Sequence, residues 1–249
     1  MPFPVSFLIA GAMRCGTTAL ASFLSQHPEI GMAPQKEVHF FDAPDFDDGA
    51  DPKETAARYQ ACFPRSMDRP HIGEATPIYF YLPTAIQRIA RYNPQMKLII
   101  LLRDPVERTL SHYRHSVVHG WERTPLPLAL LMEPFRLAGQ RRNLSMDSPL
   151  RRYSYLDRGF YARQLSILDR YFPPDQVLVL SNRSLREEHA LTLQRVYAFL
   201  GVSDREIVAA PESLNGMGTP AAPQWLRSLL RRIFQQDQMC LVNRAGRPL

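Results

Sequence analysis

A strand, a tight turn and a helix follow one another between Phe7 and Leu24 (FLIAGAMRCGTTALASFL), and this stretch constrains the fold more than any other. Phe7, Leu8, Ile9 and Ala10 form an apolar run of strand length. Gly11 and Gly16 bracket the turn and can take backbone angles that other residues resist. Leu20, Phe23 and Leu24 then recur at helical spacing. A turn that feeds a helix N-terminus aims several free N–H groups at one spot, and the helix dipole adds partial positive charge there. Such a spot favours an anion, phosphate above all. The competing reading is a plain strand-to-helix turn with no ligand.

The spacing nearly matches the phosphate loop G-x-x-x-x-G-K-[ST]. Gly11, Gly16 and Thr18 fall in place, but Thr17 stands where the lysine belongs and the basic residue is Arg14, inside the turn. A nucleoside triphosphatase without that lysine lacks its main side-chain contact to the β- and γ-phosphates. The turn therefore reads as a phosphate cradle for a different donor.

Strands and helices alternate along the rest of the chain. Short strands are predicted at 29–33, 71–75, 97–102 and 176–181, the third a continuous apolar run of the kind buried on both faces of a parallel sheet. Helices are predicted at 17–26, 53–62 and 83–92, after Asp104-Pro105 with its capping-box Glu107, around Tyr161–Phe172, at Leu193–Leu200 before Gly201, and at Leu226–Ile233. The acidic stretch 42–52 reads as an exposed loop. The pattern argues an α/β fold with a mostly parallel central sheet flanked by helices. A single domain over 1–249 is expected, with an acceptor-side insertion or lid at about 120–155, where periodicity is weak and arginines and prolines are frequent. Ligands of such folds sit at the carboxyl ends of strands, where the Gly11–Thr18 turn and Arg103 both fall.

Composition narrows the partners. A net charge of +6 suits a donor with several phosphates or an acidic acceptor. The basic residues are spread rather than gathered in a run, which speaks against nucleic acid. Cys15, Cys62 and Cys240 are too scattered for a metal set or a disulfide framework. The N-terminal apolar run is far short of a membrane span and lacks the flanks of a signal peptide, so a cytoplasmic location and no membrane span are expected.

GAMRCGTTAL resembles the 5′-phosphosulfate-binding loop of sulfotransferases that use 3′-phosphoadenosine 5′-phosphosulfate (PAPS). KEVHFFD (36–42), GEATPIYF (73–80) and LLRDPVERTLSHYRH (101–115) extend the resemblance in order, over roughly residues 5–202, and are similar to the heparan-type and bacterial branch. The resemblance implies a P-loop-like sulfotransferase fold, PAPS as donor, 3′-phosphoadenosine 5′-phosphate (PAP) as product, a hydroxyl of a carbohydrate or other small molecule as acceptor, and no metal. It implies that Glu37 is the general base and that His39 orients it or binds the acceptor. Arg14, Cys15, Gly16, Thr17 and Thr18 would hold the 5′-phosphosulfate, and Arg103 and Ser111 the 3′-phosphate.

The residues themselves leave alternatives open. Glu37 can equally be a surface carboxylate paired with a nearby cation, His39 a hydrogen-bonded core histidine, and Arg103 the partner of Asp104 or Glu107. Phe40 and Phe41 beside Glu37 are expected to dry its surroundings and favour its protonated form. Arg14, where many relatives carry lysine, cannot act as an acid and can serve only by charge and hydrogen bonds. Ala75 stands where heparan-type enzymes often place an acceptor-binding lysine, which weakens the case for a heavily charged heparan acceptor. Their late donor-clasping loop has no matched counterpart, and Asn215–Pro220 is the candidate substitute. A small-molecule kinase and a non-catalytic nucleotide-binding module are the other functional readings.

Overall fold

Five strands form one sheet: β1 (Val5–Gly11), β2 (Ile30–Met32), β3 (His71–Ala75), β4 (Lys97–Leu102) and β5 (Val177–Ser181). Their order is β2-β3-β1-β4-β5, and all four ladders are parallel. The computed structural model describes residues 5–63, 68–204 and 222–245; the Asn215–Pro220 loop lies outside them. β1 takes the central position because Phe7, Leu8, Ile9 and Ala10 are fully buried, as are Leu98, Ile99, Ile100 and Leu101 of β4 beside it. Covering both faces of such strands needs helices on both sides of the sheet.

Ten α-helices are found among the described residues: α1 (Thr17–Leu24), α2 (Pro52–Gln60), α3 (Pro83–Tyr92), α4 (Pro105–Val118), α5 (Leu126–Leu137), α6 (Pro149–Arg152), α7 (Tyr161–Leu168), α8 (Asn182–Glu187), α9 (His189–Leu200) and α10 (Gln224–Ala245). The chain divides into two compact units. The sheet unit takes the described residues up to Leu102 and from Leu165 to 204; the helical unit takes Arg103–Gln164 and 222–245.

The helical unit has its own core. Val106 and Leu110 of α4, Ala129 and Leu130 of α5, Tyr155, and Leu226, Leu230 and Phe234 of α10 pack together. Asp104 caps α4 as its spacing predicts, its side chain accepting from the Glu107 amide at 2.9 Å.

Several stretches depart from the sequence reading. α1 ends at Leu24, two residues early. α10 runs well beyond Ile233, and it turns Leu226, Leu230 and Phe234 inward while Leu229 and Ile233 face solvent. Asp42, placed in an exposed acidic loop by the sequence, is fully buried.

Candidate active site

The turn after β1 is built so that only glycine fits at its two ends. A Cβ on Gly11 would lie 2.4 Å from the Phe80 side chain, and Gly16 sits at φ +94°. Gly16 is the N-cap of α1 and offers no side chain, so no side-chain oxygen caps the first turn of that helix. Within the turn the Cys15 amide donates to the Ala12 carbonyl at 3.2 Å, and Arg14 takes a left-handed φ of 68°. Cys15 and Thr17 are buried, Arg14 and Gly16 partly exposed and Thr18 exposed. Asn182, the first residue of α8, donates through Nδ2 to the Cys15 carbonyl at 2.9 Å and braces the turn from the end of β5, two strands along the sheet from β1. Sequence reasoning missed this strut, since α8 carries no apolar period of its own.

KEVHFFD forms the second half of the sheet unit's site. The Glu37 amide donates to the Ala75 carbonyl at the end of β3, at 3.2 Å. Glu37 and His39 share a face, as an extended segment would place them, but by another route: both are left-handed, at φ 61° and 55°. Such angles in non-glycine residues cost energy and survive only where neighbours hold them. The holding contacts are visible. The His39 amide donates to Thr76 Oγ1 at 3.4 Å, Thr76 donates to Glu74 Oε2 at 2.5 Å, and the Phe40 amide donates to the Tyr79 hydroxyl at 3.0 Å.

The side chains form a line of alternating charge. Lys36 Nζ lies 2.7 Å from Glu37 Oε1, His39 Nε2 lies 3.3 Å from Glu37 Oε2, and His39 Nδ1 lies 2.9 Å from Asp42 Oδ2. Burial by itself would raise Glu37, but the hydrogen bond from His39 and the charge of Lys36 hold it at about 2. Burial would likewise lower His39, but its bonds to Asp42 and Glu37 push it up to about 9. The expectation that aromatic neighbours keep Glu37 protonated is therefore overturned. Phe40 and Phe41 turn away to pack on Tyr59, each with ring centroids 4.7 Å apart, and leave the carboxylate to the cations. Asp42, given no role from sequence, is the buried anchor of the line. Among the described residues no cluster of three or more His, Cys, Asp or Glu could hold a metal ion.

The helical unit carries Arg103 and Ser111. Arg103 is the residue after β4, and Ser111 is buried on α4. Arg103 Nη2 lies 3.8 Å from Glu107 Oε2, so the carboxylate partner named as the competing reading is within ion-pair reach. Glu107 is in turn hydrogen-bonded by Arg227 of α10. The fully buried Arg108 donates to the Tyr155 carbonyl. Among the described residues no helix is long and apolar enough to cross a membrane.

A glycine-bracketed turn that feeds a helix N-terminus after the central strand of a parallel sheet places the chain in the P-loop-like α/β class. A family model described as the sulfotransferase domain matches residues 4–215, and the chain belongs to that family. Mouse heparan sulfate glucosamine 3-O-sulfotransferase 6 is 35% identical over 197 residues, 78% of this chain and 52% of that protein. Mouse bifunctional heparan sulfate N-deacetylase/N-sulfotransferase 3 is 31% identical over 204 residues, 79% of this chain and 22% of that protein. The chain thus spans about half the length, or less, of these curated relatives. The crystal structure of a sulfotransferase from Alicyclobacillus acidocaldarius has a TM-score of 0.82 at 29% identity, over 98% of this chain and 97% of that one.

Proposed function

We propose that the protein is a PAPS-dependent sulfotransferase acting on a hydroxyl of a carbohydrate or related small molecule, as a single sulfotransferase domain. The observation that carries this is the side-chain-free cap of α1 at Gly16, which leaves the first-turn amides of a central-sheet helix to an external anion. Gly16, Thr17 and Thr18 bind the 5′-phosphosulfate through backbone N–H groups and the threonine hydroxyls, and the Cys15 amide, held by the Ala12 carbonyl, keeps the turn in shape. Arg14 adds fixed positive charge where negative charge builds up. Arg103 and Ser111 take the 3′-phosphate. Cys15 in the binding turn is in no disulfide, which suits a reducing compartment, the cytoplasm.

In the transfer step the acceptor oxygen attacks sulfur, its O–H proton passes to the Glu37 carboxylate, and the sulfur–oxygen bond to the 5′-phosphate breaks. The electron pair of that bond leaves on PAP. Glu37 is ionised at neutral pH and so in the form that accepts a proton, but Lys36 and His39 make it a weak base. An acceptor hydroxyl that takes the Lys36 contact removes one cation from the carboxylate and raises its basicity. His39, fixed by Asp42, then orients Glu37. The carbohydrate class follows the heparan-acting relatives, while Ala75 in place of an acceptor-binding lysine argues for a less heavily charged acceptor.

The test pairs binding with turnover. PAP should bind at least about tenfold more tightly than ATP. With labelled PAPS and a panel of acceptor hydroxyls, Glu37→Gln should lower kcat about a hundredfold or more while PAP affinity stays unchanged. An equally active Glu37→Gln variant removes Glu37 as base. Preference for ATP over PAP removes the donor.

A further inference from the structure

One carboxylate in the helical unit serves two guanidinium groups. Glu107 Oε1 accepts a hydrogen bond from Arg227 Nη1, while Glu107 Oε2 stands 3.8 Å from Arg103 Nη2, beyond hydrogen-bond length. All three side chains are partly buried, so their charges are screened less than at an open surface. The trio carries a net charge of +1; without Arg227 the Arg103–Glu107 pair carries none.

A phosphate dianion approaching Arg103 must compete with Glu107 for the same fork, and is repelled by the carboxylate if that carboxylate is not otherwise satisfied. The position of Glu107 therefore decides how much of Arg103 is available. We propose that Arg227 is a positioning residue for donor recognition: it draws the Glu107 carboxylate onto α10 and neutralises it, which keeps the Arg103 guanidinium for the 3′-phosphate. The last helix thereby supplies, through a charge relay on α4, a part of donor selectivity that the matched motifs do not contain. This rests on the reading of Arg103 as a 3′-phosphate ligand.

The experiment compares two probes on the full chain by titration calorimetry: PAP, and adenosine 5′-phosphate, which lacks the 3′-phosphate. Arg227→Ala should lower the ratio of the two affinities about fivefold, by weakening PAP alone. Adding Glu107→Gln should restore the ratio to the wild-type value, because the competing charge is gone. A purely structural role for Arg227 would weaken both probes and resist rescue, and that result overturns the proposal. If Arg227→Ala does not fold, Glu107→Gln alone decides: a raised ratio supports the relay, and an unchanged or lowered one overturns it. Arg103→Ala separates the two levels of the argument. If it leaves the ratio untouched, the donor reading of Arg103 fails. If it collapses the ratio while Arg227→Ala does not move it, only the relay fails.

Discussion

Glu37 lies between two cations, and which of them it keeps sets its basicity. The bond from His39 is the largest single influence holding Glu37 near 2, ahead of the charge and bond of Lys36, after burial has pushed the other way. His39 is protonated up to about pH 9 only because Asp42 and Glu37 flank it. His39→Asn should therefore move both limbs of the pH profile of kcat/KM. The acid limb, set by Glu37, should rise from about 2 toward the ordinary 4.5, and the alkaline limb near 9 should vanish. An unchanged profile would mean that His39 does not act through Glu37. At this scale the sequence was legible where a motif was. KEVHFFD brought Glu37 and His39 forward, and the structure does bring them together. The left-handed backbone at both residues and the burial of Asp42 were not legible, because they depend on Thr76 and Tyr79, far along the chain.

The elements divide by how much of their stability is local. β1 and β4 announce themselves by the apolar runs Phe7–Ala10 and Leu98–Leu102, and the caps of α4 lie in its own sequence. α5 does not, because its apolar residues point both ways: Ala129 and Leu130 are buried while Leu131 and Phe135 face solvent, at 68% and 80% exposure. α8 is six residues long and anchored by the Ser181 side chain, so no period could mark it. That short helix nonetheless carries the brace of the anion turn. Asn182→Ala removes the hydrogen bond to Cys15 and should weaken PAP binding about threefold to tenfold, the worth of one hydrogen bond. Gly16→Ala should cost more. It forces an L side chain to φ +94° and puts a Cβ 2.6 Å from the same Asn182 amide. Calorimetric titration of PAP into both variants checks the order, and equal affinities in all three proteins would mean that the turn does not hold the nucleotide.

Across the whole molecule the shifted groups combine into one pH dependence of stability. Glu37 and Glu122 are held at about 2: burial would raise both, but His39 in the first case and Arg136 in the second outweigh it. Both stabilise the fold above the ordinary 4.5, and that contribution is lost as the pH falls through 2. Glu74 and Glu133 go the other way. Burial outweighs their hydrogen bonds and raises each to about 7, so the folded state binds their protons more tightly than the unfolded chain does. Their contribution is complete below 4.5 and is lost as the pH rises through 7. His39 follows the same sign at higher pH, complete below 6.5 and lost through 9. His71, which burial lowers, has the opposite sign below 6.5 and there offsets part of the Glu74 and Glu133 decline. The thermal midpoint should therefore peak near pH 4.5 to 5 and decline on both sides, with the longer decline toward alkali. Glu74→Gln should flatten the limb between 4.5 and 7, and His39→Asn the limb between 6.5 and 9. Calorimetric scans across pH 2 to 9 measure this, and a midpoint that climbs from pH 5 to 8 would show that the buried carboxyls are not holding their protons.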